Sequence, residues 1–291
     1  MRHSERLDAI LKNSNWPLEA FDTNGVYQPM NSQMLTLLPT RQNPYDYSLD
    51  PPLTKHGKNH AYHTGEFFRT LNLLPTKVYS SPAMRCIQTA DTVLDGLGLR
   101  LKIPIRSDLA LHEPSRKHLP LQPPDYYYKN GFNMDLKYQP LLSPLNTKII
   151  MRENHLNYYR RMYMMLKRII TKVMRNSALS NYNSETILII THRPCVAILA
   201  AMLNIDKIDN KLKYLRDIEN KKRQEINFLS MVIAEYDHNL RQWNYLADFP
   251  EKIPAVLSKK TNIKQTEGMP LKLRNQNSAQ ASLENKKVVQ E

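Results

Sequence analysis

Two arginines bracket a histidine in Met1-Arg2-His3-Ser4-Glu5-Arg6-Leu7-Asp8, a grouping suited to phosphate. A guanidinium is planar, permanently charged and offers paired donors to phosphate oxygens. An imidazole can attack phosphorus once its protonation is controlled. On these eight residues alone, a solvated basic N-terminus is the better reading, and three later stretches reverse it. Ser80-Ser81-Pro82-Ala83-Met84-Arg85-Cys86 sets Arg85 in the first turn of a helix, where the dipole also favours an anion. Leu111-His112-Glu113 supplies a carboxylate, and Ile189-Ile190-Thr191-His192 ends a continuous apolar run on a histidine.

These residues need elements to hold them. Helical spacing of Ala61, Phe67, Phe68, Leu71 and Leu74 predicts a helix over 57–74 with Thr54 as N-cap. Lys77 to Ser81 reads as a short strand, and Pro82 leads into a helix over 83–97. Residues 101–106 read as an edge strand because Pro104 cannot donate to a ladder. A long amphipathic helix is predicted over 153–174, with Arg160, Arg161, Lys167, Arg168, Lys172 and Arg175 on its solvated side. The run 186–191 has the pattern of a strand buried on both faces of a parallel sheet. A helix over 194–203, a charged helix over 209–225 and strands near 229–235 and 240–245 follow.

Residues 9–53 read as a long loop with at most one short helix, and 114–150 as a second insertion. Within it, Tyr126-Tyr127-Tyr128 reads as a tyrosine-rich loop packed on the domain. The expected organisation is one domain over 1–250 and a disordered basic tail over 251–291. Alternating strands and helices give the fold class: α/β, a mostly parallel sheet with helices on both faces. Such sheets collect ligands at the carboxyl ends of their strands, where all four motifs fall.

Composition narrows the function. The balance of 41 basic to 27 acidic residues, +14, favours anionic partners. Only seven glycines are present where average usage of about 7% would give roughly twenty, and they form no glycine-rich phosphate loop. Phosphate must be held by side chains and helix N-termini. Cys86 and Cys195 fit buried free thiols in a reducing compartment, and no signal-peptide or membrane-length apolar run is evident, so a soluble cytoplasmic protein is expected. His56, His60 and His63 share one side of a helix with Glu66; ligands strung along one helix do not surround a metal, so they read as helix surface.

In these motifs the sequence resembles the histidine phosphatases of the phosphoglycerate mutase-like superfamily, and most closely the phosphatase domain of the ubiquitin-associated and SH3 domain-containing proteins. The likeness rests on residues 2–8, Pro52-Leu53-Thr54-Lys55-His56-Gly57, the stretch 78–90, Glu113 and 187–192, and spans about residues 1–248. The resemblance implies a phosphomonoester phosphatase acting on protein phosphotyrosine or a small phosphate ester. His3 would take the phosphoryl group, Arg2, Arg6 and Arg85 would clamp its oxygens, His192 would donate to them, and Glu113 would protonate the leaving oxygen. Glu113 would need a raised pKa for this. No cofactor, metal, nucleic acid or membrane is expected, and a homodimer is left open. Singly, Arg85 also fits a helix-surface cap, His192 a satisfied core histidine and Glu113 a loop carboxylate.

Three departures from the family favour an alternative, a weakened or inactive descendant that binds phosphate or scaffolds. Ser4 stands where the family has glycine, and Arg193 where a small residue is usual. Only Met1 precedes Arg2 where the family has a buried strand, so the first strand is expected to be truncated, at a cost on the order of several kcal/mol. An incomplete gene model or an isoform is the expected explanation.

Overall fold

Strand β1 (Lys77–Ser80) is the axis of the sheet, because its neighbours on both sides pair with it in parallel. In the computed structural model, β2 (Ile105–Ser107) pairs with Val78 to Ser80 on one edge and β3 (Ile187–Ile190) with Lys77 to Ser80 on the other, in the order β2-β1-β3. The structure describes residues 1–11, 15–179, 185–203, 205, 208–222, 225–237, 240 and 242–247; the tail expected over 251–291 lies outside them.

Side chains alternate across a strand, and both faces of this sheet are covered. Val78, Leu188 and Ile190 belong to one core with helices α4 (Lys55–Thr70) and α5 (Met84–Leu97). Tyr79, Ile187 and Ile189 belong to the other, with α7 (His155–Leu179) and α8 (Arg193–Met202). Helix α4 begins where expected, with the Thr54 hydroxyl accepting from the Gly57 amide at 2.7 Å. Its axis crosses α5 at two glycines, since a Cβ on Gly65 would lie 2.1 Å from the Val93 carbonyl and one on Gly96 2.0 Å from that of Tyr62.

The N-terminal residues join the sheet at its carboxyl end only. Thr191 N–H donates to the Met1 carbonyl and His3 N–H to the Thr191 carbonyl, each at 2.9 Å, and the Met1 ammonium donates to Ile189. Arg2 thus forms a parallel bridge with Thr191, a first strand of minimal length. β3 is less buried than its apolar run predicts: Ile190 is buried, but Ile187, Leu188 and Ile189 are half-buried.

Other expectations change in detail. The 9–53 stretch contains α1 (Leu7–Leu11, entering it), α2 (Trp16–Ala20) and α3 (Asp46–Leu49) rather than a single short helix, and Trp16 and Tyr47 reach the core. The tyrosine run is helix α6 (Pro124–Lys129), not a loop, started by a proline at its first turn; Tyr127 is buried and donates to the Pro82 carbonyl. After α9 (Leu212–Lys222), strands β4 (Ile233–Asp237) and β5 (Gln242–Ala247) form a separate antiparallel pair, a few residues later than expected. Arg161 departs most from its prediction. It is buried rather than solvated, pairing with Glu153 and donating to the carbonyls of Ala110 and His112 at 2.8 and 2.9 Å.

Candidate active site

Each sheet strand ends in a residue of the site. β1 leads into α5, whose first turn carries Arg85; the α5 amide of Met84 is capped by the Asp50 carboxylate at 2.9 Å, and Asp50 is fixed in turn by buried Arg41 at 2.7 Å. β2 leads through the tight turn Leu109–Leu111 to His112 and Glu113. β3 leads to His192, the residue just before α8. Arg6 is held by a bridge to Leu53 and an ion pair with Asp8 at 2.8 Å.

Around these ends lies a cavity of about 230 Å³ lined by Arg2, His3, Arg6, Glu113, Arg193 and Pro194. Arg85 and His192 sit beneath it, 5% and 0% exposed. Arg85 Nη2 stands 3.3 Å from Glu113 Oε1 and 3.1 Å from His192 Nδ1, and the His3 and His192 rings are 5.6 Å apart. The six residues expected to form the site therefore converge. Their number of positive charges exceeds what the protein neutralises: buried Arg2 Nε and Arg85 Nε have no hydrogen-bond partner, and Arg2 lies over the Phe228 ring with its other donor on Ile226. Burial, then repulsion from Arg193 and Arg6, lowers the Arg2 pKa to about 9. Guanidiniums that face one cavity with donors to spare suit an anion.

The imidazole of His3 is poised as a neutral ring. Its Nδ1 lies 2.8 Å from the Ser4 carbonyl, which can only accept, so the proton sits on Nδ1 and Nε2 keeps its lone pair. Burial, with Arg85, His192 and Arg2 nearby, holds its pKa well below the ordinary value. Glu113 behaves differently from expectation. Burial raises its pKa, but the nearby guanidiniums, Arg85 foremost and then Arg6, outweigh burial and hold the carboxyl below its usual range.

His192 is set by two neighbours. Arg85 Nη2 lies 3.1 Å from Nδ1 and Ser81 Oγ 2.8 Å from Nε2. The ring proton sits on Nε2 when Arg85 donates to Nδ1, and on Nδ1 when Arg85 turns to a bound anion and the serine hydroxyl donates to Nε2. Ser81, Asp50, Arg41, His112 and Arg161 are parts of the site that sequence reasoning missed. Ser81 and His112 lie inside the chosen motifs, but the contacts that use them cross from one strand to another.

Of the departures, Ser4 stays clear of the cavity: its hydroxyl donates to the Gly57 carbonyl at 2.6 Å and its amide to Thr89. Arg193 stands in the cavity wall. On the α4 surface, exposed His56 and His60 meet at a tilt of 54° with ring centres 3.9 Å apart and His63 pairs with Glu66, and among the described residues no group of acidic, histidine or cysteine side chains is arranged to hold a metal.

A parallel sheet covered on both faces, with a histidine-arginine site at its carboxyl edge, defines the class as phosphoglycerate mutase-like. Residues 39–119 match the family model of the histidine phosphatase superfamily, branch 1. The chain is 32% identical over 177 residues to human ubiquitin-associated and SH3 domain-containing protein B, covering 59% of this chain and 27% of that protein. It is 30% identical over 182 residues to the ecdysteroid-phosphate phosphatase of Drosophila melanogaster, covering 60% and 24%. The crystal structure of the silkworm ecdysone phosphate phosphatase in complex with tungstate shares the fold, with a TM-score of 0.67 at 20% identity over 87% of this chain and 92% of that one. The chain is thus similar in sequence to members of the histidine phosphatase superfamily, over about 60% of its length. It spans about a quarter of the length of the curated relatives it matches.

Proposed function

We propose that the chain is a phosphatase that hydrolyses a phosphomonoester, a phosphotyrosyl residue or a small phosphate ester, through a phosphohistidine at His3. The observation that carries this reading is the free Nε2 of His3 in a cavity walled by unneutralised guanidiniums. Nε2 forms a bond to phosphorus as the ester P–O bond breaks, and Glu113 gives its proton to the departing oxygen. Water then attacks phosphorus, Glu113 takes its proton, the P–N bond breaks and inorganic phosphate leaves. Arg2, Arg6 and Arg85 hold the non-bridging oxygens and spread the charge of the transition state, the main task in phosphoryl transfer, so the reading needs no metal. His192 assists by donating from Nδ1, with Ser81 turning its hydroxyl proton to Nε2.

Incubation with a generic aryl phosphate should give steady turnover, and rapid acid-free quenching should trap a phosphate that is acid-labile and base-stable on His3. His3→Ala should lower kcat by a thousandfold or more. Equal turnover by His3→Ala and wild type would refute the role of His3. Phosphate binding without turnover or a trapped intermediate favours instead a phosphate-binding scaffold, a reading supported by the ionised state in which Arg85 holds Glu113.

A further inference from the structure

Arg193 gives the cavity more positive charge than a phosphoryl group needs. Arg6 is matched by Asp8 at 2.8 Å, and Arg85 faces Glu113 at 3.3 Å with Asp50 at 3.7 Å, where Asp50 is already committed to Arg41. Arg2 and Arg193 have no carboxylate partner among the described residues, and Arg193 Nε is buried without a hydrogen bond. A phosphoryl dianion compensates Arg2 and, once Glu113 carries the proton it must donate, Arg85. Arg193 is then left over, half-buried beside Pro194 in the wall of the same cavity. An uncompensated, partly desolvated guanidinium is a standing demand for a second anion, and its planar fork suits a carboxylate or another phosphate. It follows His192 directly, at the first position of α8, so the helix fixes where that anion must lie.

We infer that Arg193 is a specificity residue that selects phosphate monoesters whose leaving group carries a second anionic group, carboxylate or phosphate. This rests on the phosphoester reading above. A neutral leaving group satisfies the phosphoryl clamp and leaves Arg193 unpaired; an anionic one satisfies both.

The test compares three aryl esters of similar shape: 3-carboxyphenyl phosphate, its neutral isostere 3-carbamoylphenyl phosphate, and 1,3-phenylene bisphosphate. At low ionic strength, wild type should favour the carboxylate or the bisphosphate over the carbamoyl ester by tenfold or more in kcat/KM, and whichever is favoured identifies the second anion. Arg193→Ala should bring that ratio close to one, and Arg193→Lys, which keeps the charge without the fork, should retain part of it. A wild-type ratio near one overturns the inference. So does an equal loss on charged and neutral esters in Arg193→Ala, which would make Arg193 a ligand of the transferred phosphoryl group. If wild type turns over none of the three, the phosphatase reading fails separately; calorimetric binding of the same esters to wild type and Arg193→Ala then measures the same ratio.

Discussion

Glu113 faces two opposed demands. In the proposed reaction it must hold a proton to release an alcohol, yet Arg85 and Arg6 hold its pKa low against the pull of burial. A phosphoryl dianion seated among those guanidiniums offsets their field, and burial then raises the carboxyl toward the protonated form, so the substrate itself arms the acid. Glu113→Gln should therefore lower kcat about 100-fold or more for phenyl phosphate and far less for 4-nitrophenyl phosphate, whose leaving oxygen needs little protonation. An equal loss on both esters, measured side by side, would show that Glu113 acts by charge or position instead of by proton donation. His3, Arg85, Glu113 and His192 could be singled out as candidates in the sequence because each sits in a compact motif, three of them just past a strand. The electrostatic state of Glu113 was not legible there, because it is fixed by Arg85 and Arg6, which arrive from other strands.

Elements hold these residues through contacts that periodicity does not reveal. Helix α7 was legible, but its stripe of basic residues put Arg161 with exposed Arg160 and Lys167, whereas Arg161 turns inward and pins the turn before Glu113 by its carbonyls. Those carbonyls lie some 50 residues away in sequence, and nothing local marks the bond. Truncating Arg161 leaves the buried Glu153 carboxylate and several carbonyls without their donor. Arg161→Ala should cost about 3 kcal/mol or more of stability in urea unfolding, in the range for a broken buried ion pair. It should also lower kcat at a temperature where the variant remains folded. A variant with normal stability and normal kcat would show that the turn holds Glu113 without Arg161. The three short helices α1, α2 and α3 escaped detection for a related reason: at four or five residues each, they are too short for a 3.6-residue period to show, and burial of Trp16 and Tyr47 rather than propensity holds them.

Across the whole molecule, a net charge of +14 pointed to anionic partners but not to where they bind; only the sheet, by bringing strand ends together, concentrates three arginines in the wall of one cavity with Arg85 beneath it. The same convergence buries three imidazoles, His3, His112 and His192, and pH controls what that burial costs. For all three, burial is the leading cause and nearby cations or imidazoles add to it, holding the pKa well below the ordinary histidine value. The unfolded chain titrates these histidines near 6.5, so below that pH it binds protons the folded chain refuses. Unfolding then takes up protons, and stability falls as pH falls: it is fully present above about 6.5 and is lost below, by up to about 1.4 kcal/mol per pH unit for each ring, or about 4 for the three together. At alkaline pH the sign reverses. Burial raises the thiol of Cys86 to about 12 and that of Cys195 to about 11, so above an unfolded value near 8.5 the unfolded chain releases protons the folded chain keeps. Urea midpoints in phosphate-free buffer should therefore be highest between about pH 7 and 8.5 and drop steeply by pH 5.5. His112→Asn, though less stable throughout, should flatten the acid limb by about one proton. Midpoints that stay level from pH 7.5 to 5.5 would mean that the three imidazoles are not held neutral by the fold.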